Sequence, residues 1–177
     1  MTNNKRFSFE FFPPKTDAGK EKLEQTWQDL QKLHPAFFSV TYGAGGSTRD
    51  NTFNIVKNMK AQGLSVAPHL SFGGDSEADM LALLNDYKSL GIDRIVALRG
   101  DIPSGMGASR IVYANELVAF IRQHFGNHFH LEVAAYPEIH PESISYTSDV
   151  QYLKQKFDAG ANSGLTQYFF NADAYFY

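Results

Sequence analysis

The chain has 177 residues, 43% hydrophobic and 20% charged, which suits one folded domain spanning residues 1–177. Sixteen basic and nineteen acidic residues give a net charge of −3, which argues against a nucleic-acid partner. The absence of cysteine excludes disulfides, thiolate zinc sites and cysteine-ligated iron–sulfur clusters, and the cytoplasm is the expected compartment.

The amino-terminal residues do not resemble a targeting or membrane segment. Residues Met1 to Arg6 are polar, and Glu10 interrupts the apolar stretch that follows them. Neither a signal-peptide core nor a stretch of about 18 apolar residues is present, so no membrane association is expected.

Short β-branched or aromatic runs alternate along the chain with longer amphipathic segments, a pattern typical of βα units in a parallel sheet. Six short runs are predicted to be strands: Phe7–Phe12, Phe37–Tyr42, Ser65–Leu70, Arg94–Arg99, His130–Tyr136 and Leu165–Phe170.

Helices are predicted between these strands. The first follows Pro13-Pro14 with Thr16 or Asp17 as its cap, and the second begins near Ser47. Helical spacing of apolar residues predicts three more helices and the beginning of a sixth: Ser76–Leu90, Tyr113–Phe125, Thr147–Ala159 and Asn171–Ala174. Each helix is expected to end on a glycine.

The two faces of the predicted strands differ in polarity. Phe9, Phe38 and Val96 are examples from the predicted apolar face, whereas Ser39 and Ala97 are examples from the small or polar face. A doubly wound sheet needs apolar residues on both faces, whereas the interior of a TIM-type enzyme barrel opens into a polar mouth. The fold class predicted is therefore α/β, a TIM (β/α)₈ barrel.

Residues late in each strand, or just after it, are expected at the mouth of this barrel: Glu10, Thr41, His69, Asp101, Tyr136 and Gln167. A closed barrel of this type typically needs about 250 residues. Six strands are compatible with a fragment of a closed barrel or with an open variant of the fold. We favour a fragment, a single barrel domain incomplete at its carboxyl end after about six strands.

The segment Phe9-Glu10-Phe11-Phe12 places one carboxylate among aromatic rings at a strand end. Desolvation there would raise the pKa of Glu10 and favour a general acid. A solvated glutamate at a strand end is an equally good interpretation of these residues.

Three other motifs leave alternatives open. Arg99-Gly100-Asp101 suits a structural ion pair somewhat better than a ligand contact, and His69 suits a hydrogen-bonded core imidazole better than a metal ligand. No metal site is predicted. The run from Tyr136 to His140, held by prolines, is either a rigid connection or a surface that stacks on a flat ring.

Seven ordered segments together resemble the bacterial-type 5,10-methylenetetrahydrofolate reductase family. They are Phe7–Pro14, Ser39–Gly43, Ala67–Leu70, Ala97–Asp101, Ala134–Glu142, Asp158–Asn162 and Thr166–Phe170. The resemblance implies a barrel that holds FAD without a Rossmann fingerprint, with NADH or NADPH and methylenetetrahydrofolate using the same flavin face in turn. It also implies a homo-oligomer.

The resemblance also implies roles for individual residues. Glu10 would be the catalytic acid that assists opening of the folate ring, while Asp101 and Gln167 would bind the pterin. Flavin binding would fall to Thr41, His69, Arg99, Gly100, Asp101, Tyr113, Ala114, Ala134, Tyr136, His140, Asp149 and Lys156.

One position departs from the family pattern. Tyr152 stands four residues before Lys156, where family members carry asparagine, which affects the nucleotide end of the flavin site. Two other functions are compatible with the sequence: a non-catalytic flavin-binding or assembly module derived from the barrel, and a different flavin-dependent TIM-barrel oxidoreductase.

Overall fold

The computed structural model describes residues 6–42, 46–72, 75–99 and 113–176, with backbone only for 46–48. Within these ranges six strands alternate with six α-helices. The strands are β1 (Phe9–Phe11), β2 (Phe38–Val40), β3 (Val66–Leu70), β4 (Arg94–Ala97), β5 (His130–Ala135) and β6 (Ser163–Thr166). The helices are α1 (Asp17–Leu30), α2 (Gly46–Ala61), α3 (Glu77–Ser89), α4 (Ala114–Phe125), α5 (Tyr146–Asp158) and α6 (Ala172–Phe176).

The strands form one parallel sheet in the order β1-β2-β3-β4-β5-β6, curled into a half-barrel. Each parallel pair needs a crossover, and a helix lies in the connection between each pair of neighbouring strands. This arrangement confirms the predicted βα units and the TIM-type barrel order. All six strands therefore end at the same edge of the sheet, where ligands bind in folds of this class.

The helix-facing side of the sheet carries the hydrophobic core. Phe38 and Leu131 on the strands are almost completely buried, as are Trp27 on α1 and Leu117 on α4. The opposite face carries smaller and more polar side chains, since Glu10, Ser39 and Ala67 lie side by side across β1, β2 and β3. The polarity difference read from the sequence thus separates the two faces of the sheet.

Local signals at the helix ends agree with the predicted boundaries. Thr16 caps α1 by accepting a hydrogen bond from the Gly19 amide, and Ser76 with Asp79 forms a capping box at α3. Glycines with positive φ follow α2 to α5, at 63, 91, 126 and 160. Helix α1 instead runs into a 3₁₀ turn, Gln31–Leu33, after which His34 adopts φ 55°.

The face predicted for β4 is wrong. Val96 lies in register with His69 and Glu132 on the concave face, whereas Ile95 and Ala97 belong to the core beneath the helices. Because β4 is apolar on both faces, polarity could not identify its inner side. Only the register with its neighbours fixes that choice.

The sixth strand also begins and ends earlier than predicted. It covers Ser163–Thr166 because pairing with β5 starts at Asn162, whose amide N–H donates to the Leu131 carbonyl. The aromatic residues that suggested a later strand pack on one another instead: the rings of Tyr168 and Phe170 are 5.0 Å apart.

A polar network closes the opposite, amino-terminal end of the concave face. Arg94 pairs with the buried carboxylate of Glu132, and the Ser163 hydroxyl donates to Glu132 Oε2 at 2.5 Å. His130 Nε2 lies 2.7 Å from the same hydroxyl. Burial, followed by the charge of Arg94, lowers the pKa of His130. The network bridges the starts of β4, β5 and β6.

In the part of the chain that the structure describes, every helix is too short or too polar to cross a membrane. The same residues contain no group of three or more histidine and carboxylate side chains placed to hold a metal ion.

Candidate active site

Glu10 and His69 meet at the concave face near the ends of β1 and β3. Glu10 Oε2 lies 3.3 Å from His69 Nε2, across the buried Ser39 of β2. The two residues lie on the same face because Glu10 is in register with Ser39 and Ala67, and His69 follows Ala67 by two residues on β3. The structure therefore brings the predicted acid next to a predicted flavin-binding residue.

The environment of Glu10 differs from the sequence-based expectation. Its side chain is 49% exposed, and the polar contact with His69 lowers its pKa, outweighing the partial burial that acts to raise it. Of the two interpretations that the sequence left open, the raised pKa is therefore wrong for the chain as it stands, and the structure favours the solvated glutamate at a strand end. The aromatic neighbours do not desolvate the carboxylate, because Phe9 and Phe11 point to the core face and Phe12 is exposed.

The His69 side chain is only 8% exposed. Its approach to Glu10 is close enough for an ion pair when the imidazole is protonated, but it does not meet hydrogen-bond geometry. Nε2 consequently has no hydrogen-bond partner within the described ranges. Buried polar atoms of this kind are uncommon in folded proteins and are often completed by a ligand or a water molecule.

Thr41 follows β2 and is held at the mouth by its backbone. Its N–H donates to the Phe11 carbonyl at 2.9 Å, and its own carbonyl accepts from Thr52 Oγ1 at 2.8 Å. The Thr41 side chain is half-buried at the position that the barrel prediction gave it.

A polar cluster that sequence reasoning missed, formed by Tyr42, Asp75 and Arg49, lies beside Thr41. The Tyr42 hydroxyl donates to Asp75 at 3.2 Å, and Asp75 forms an ion pair with Arg49 at 3.0 Å. Burial and the adjacent Asp75 raise the pKa of Tyr42 to about 12. The phenol therefore stays protonated at neutral pH and links the ends of β2 and β3.

The end of β4 is marked by Arg99, whose guanidinium is held by two parallel hydrogen bonds. Nη2 donates to Glu142 Oε1 at 2.8 Å, and Nη1 donates to Glu142 Oε2. Glu142 raises the pKa of Arg99, and Arg99 in turn lowers the pKa of Glu142. The sequence favoured an ion pair at Arg99, but it did not identify this partner, 43 residues away.

Several predicted flavin-binding residues cluster around the end of β5. The ring of Tyr136 contacts His140 edge-on, with centroids 4.5 Å apart, and Lys156 Nζ lies 5.8 Å from the centre of the Tyr136 ring. Lys156 Nζ also donates to the Ala134 carbonyl at 2.8 Å. Burial lowers the pKa of Lys156, and the charge of Asp149 partly opposes this. Four predicted residues thus lie in direct contact.

The loop between β5 and α5 has well-defined internal bonds. His140 Nδ1 accepts the Glu142 amide N–H at 3.1 Å, which places the proton of a neutral imidazole on Nε2. Asp149 accepts from the Ser143 hydroxyl at 2.7 Å. Ile139 adopts φ 66°, a conformation rare for a β-branched residue.

The remaining predicted residues are more dispersed. Tyr113 is half-exposed and directly precedes α4. Ala114, the first residue of that helix, is buried. Gln167 is exposed just after β6, where its Oε1 accepts from the Tyr168 amide at 3.0 Å. Gly100 and Asp101 lie outside the described residues, as does the Gly43–Gly45 stretch.

The nonconforming residue Tyr152 lies on α5 with half of its side chain exposed. It is one helical turn before Lys156, so its ring is on the same side of the helix as that lysine. A phenol ring therefore lies beside Lys156, at the position where the resemblance led us to expect asparagine.

The structure also identifies Glu138, a polar residue of the run from Tyr136 to His140, as a connecting residue. Its Oε1 accepts from the amides of Phe170 and Asn171, at 3.2 and 2.9 Å. The β5–α5 loop is thereby attached to the segment after β6. Its place within the Ala134–Glu142 motif was the available signal, but its partners are more than 30 residues away.

Comparison with known proteins identifies a family and several relatives that this chain resembles. A family model described as methylenetetrahydrofolate reductase matches residues 1–177. The 5,10-methylenetetrahydrofolate reductase of Escherichia coli K12 is 44% identical over 169 residues, which cover 95% of this chain and 56% of that protein. The enzyme of the same name from Buchnera aphidicola of Acyrthosiphon pisum is 41% identical over 99% of the chain and 59% of its own length.

A plant protein is also similar: the probable methylenetetrahydrofolate reductase (NADH) of rice is 38% identical over 96% of the chain and 31% of its own length. The chain thus spans a little over half of the bacterial relatives that it matches.

Among solved structures, 7,8-dihydropteroate synthase from Vibrio fischeri ES114 matches with a TM-score of 0.54 over 97% of this chain and 66% of that one. At 12% identity this likeness concerns the fold alone. The family match over the whole sequence and the high identity to bacterial relatives show that this chain belongs to the methylenetetrahydrofolate reductase family.

Proposed function

We propose that the protein containing this chain reduces 5,10-methylenetetrahydrofolate to 5-methyltetrahydrofolate, with NADH or NADPH as hydride donor and FAD as carrier. The observation that carries the proposal is the match of all 177 residues to a family named for this substrate. The meeting of Glu10 and His69 at the strand ends supports it, because an acid and a buried imidazole lie where barrel enzymes perform chemistry.

The donor set at the mouth fits a flat cofactor that carries phosphates. His69 offers a buried Nε2 without a hydrogen-bond partner among the described residues, and Tyr136 offers an aromatic surface. Arg99 offers a guanidinium fork, the group that best matches phosphate oxygens. When bound, FAD would supply a two-electron carrier between the nicotinamide and the folate.

We assign cofactor binding to the residues that the family resemblance indicates. They are Thr41, His69, Arg99, Gly100, Asp101, Tyr113, Ala114, Ala134, Tyr136, His140, Asp149 and Lys156. Asp101 and Gln167 are the proposed pterin contacts. The exposure of Gln167 at the end of β6 leaves it accessible to a ligand.

Glu10 is the proposed general acid. Folate reduction requires opening of a five-membered ring, and a proton delivered from Glu10 Oε2 to the departing ring nitrogen would assist this step. In the chain as it stands, His69 lowers the pKa of Glu10, so the carboxyl is ionised at neutral pH. A substrate that covers the half-exposed side chain would exclude water and thereby raise that pKa.

The test replaces Glu10 with glutamine in the full-length protein and measures each half-reaction separately by stopped-flow absorbance. Hydride transfer from NADH needs orientation but no protein acid, so E10Q should leave flavin reduction within a few-fold of wild type. Folate reduction should fall by at least about 10²-fold, the usual effect of losing a general acid.

Glu21→Gln is the matched control because it makes the same change on an exposed face of α1. It should leave both half-reactions unchanged. An equal fall of both halves in E10Q would indicate that Glu10 positions the flavin. If the wild-type protein bound flavin but reduced no folate, a flavin-binding module or another oxidoreductase would replace the proposal.

The resemblance also leads us to propose a homo-oligomer in the cytoplasm. Both are separate from the catalytic proposal. Sedimentation of the native protein tests the first, and subcellular fractionation with an antibody tests the second.

A further inference from the structure

The carboxylate of Glu142 occupies the guanidinium fork of Arg99 in the way that an anionic ligand would. Two parallel N–H···O bonds join the groups, the arrangement with which arginine binds carboxylates and phosphates alike. The fork can hold one such partner along this edge at a time. A phosphate that used the same edge would have to replace Glu142.

The contact is placed where replacement is easy. The Glu142 side chain is 63% exposed and the Arg99 side chain 29% exposed, so water can solvate the carboxylate as soon as it leaves. The exposure weakens the ion pair because water competes with it, and the paired geometry keeps it stronger than a single contact would be.

Release of the carboxylate also leaves the loop intact. The backbone bonds of this segment run from the Glu142 amide to His140 Nδ1 and from the Ser143 amide to the His140 carbonyl, at 3.1 and 2.9 Å. Neither involves the Glu142 carboxylate. A rotation of the Glu142 side chain therefore frees Arg99 without unfolding the β5–α5 loop.

We propose that Glu142 is an internal competitor for Arg99, which a phosphate or pyrophosphate ester must displace on binding, so that it weakens binding of phosphorylated ligands. This inference rests on the proposed function for the identity of the ligand, a flavin nucleotide. It assigns Glu142 a role that opposes cofactor binding, whereas the neighbouring residues of the loop support it.

Glu138 provides a matched control within the same loop. It accepts two backbone N–H groups through one oxygen, an arrangement that a glutamine carbonyl can reproduce. E138Q therefore removes one negative charge from the loop while its anchor is retained. E142Q removes the same charge and one of the two paired bonds to Arg99, because the amide oxygen can still accept one N–H whereas the NH₂ group cannot accept the other.

The experiment uses flavin-free full-length protein and measures quenching of flavin fluorescence on titration with FAD, FMN or riboflavin. E142Q should bind FAD and FMN about two- to fivefold more tightly than wild type, with riboflavin unchanged because it carries no phosphate. E138Q should match wild type with all three. E142A should tighten FAD and FMN binding as E142Q does, and it serves if E142Q is poorly soluble.

Unchanged or weaker FAD binding by E142Q would overturn the proposal, since Glu142 would then be neutral or would position Arg99 for the ligand. Equal tightening of riboflavin, or an equal effect of E138Q, would also overturn it by attributing the change to general charge.

A calorimetric titration with inorganic pyrophosphate alone separates this inference from the proposed function. If wild type bound no flavin, the proposed function would fail. Tighter binding of pyrophosphate by E142Q would still support displacement of Glu142, and equal binding by both proteins would refute it.

Discussion

Arg122 on α4 connects three parts of the chain at the amino-terminal end of the sheet, and its removal should destabilise the fold measurably. Its guanidinium donates to the carbonyls of Gly160, Gly126 and Phe129 at 2.8–2.9 Å, and to Asn162 Oδ1 at 2.6 Å. The end of α4, the start of β5 and the segment before β6 thereby share one cation.

The expected magnitude follows from the burial of these bonds. Two of the four, to Gly160 and Phe129, are partly buried, while the other two are exposed and contribute little. Hydrogen bonds to a charged group contribute about 1.5–3 kcal/mol each when buried. Burial also lowers the pKa of Arg122, a sign that its desolvation offsets part of this gain. We therefore expect R122A to lower the free energy of unfolding by about 2–3 kcal/mol.

Urea unfolding of the full-length protein, followed by circular dichroism, measures this change. The control K154A removes an exposed ion pair to Asp158 and should change stability by less than about 0.5 kcal/mol. R122K keeps the charge but cannot reach four acceptors, so it should recover less than half of the loss. A fully stable R122K would refute the reasoning, because charge alone would then account for the effect.

Three further predictions concern other parts of the fold. Gly160→Ala should lower the free energy of unfolding by about 1–3 kcal/mol in urea, because φ at this position is +114° and the new Cβ would lie 2.8 Å from Arg122 Cγ. In an R122A background this loss of stability should shrink, and full additivity of the two losses would exclude the clash. Trp27→Phe should lower the free energy of unfolding, followed by circular dichroism, by about 1–3 kcal/mol, because the indole is almost completely buried and also donates to Gln62. An unchanged stability would show that the core refills the space. Ion pairing with Arg99 lowers the pKa of Glu142 in the folded state, so the stabilisation is present above the unfolded pKa and is lost as pH falls through the folded pKa. The difference in melting temperature between wild type and E142Q should therefore shrink between about pH 5 and pH 3. A constant difference would argue against the ion pair.

The parts of the fold that depend on local chemistry could be predicted from the sequence. Thr16 caps α1 because its hydroxyl reaches the Gly19 amide, and Gly91 follows α3 with φ 75°. The strand order followed from the alternation of βα units, because consecutive parallel strands joined by helices usually lie side by side. These features involve residues close together in the chain, or a repeated pattern.

The features that could not be predicted depend on contacts between distant segments. Nothing near Arg99 in the sequence specifies Glu142, since the two are brought together only by the register of β4 with β5 and by the turn at Ile139. The lowered pKa of Glu10 likewise depends on His69, two strands away. Aromatic neighbours in sequence suggested desolvation, but alternation along β1 places the Phe9 and Phe11 rings on the opposite face.

The bonds among His130, Ser163 and Glu132 have only one possible direction. A serine hydroxyl has a single proton, and here it is given to Glu132, the partner of Arg94. His130 must therefore donate from Nε2, so Nδ1 is the only site at which the imidazole can gain a proton. Acid would add a positive charge to this end of the sheet without removing a hydrogen bond. Because burial and the charge of Arg94 lower the pKa of His130, protonation of the imidazole would weaken this end of the fold through desolvation and charge rather than through a lost hydrogen bond.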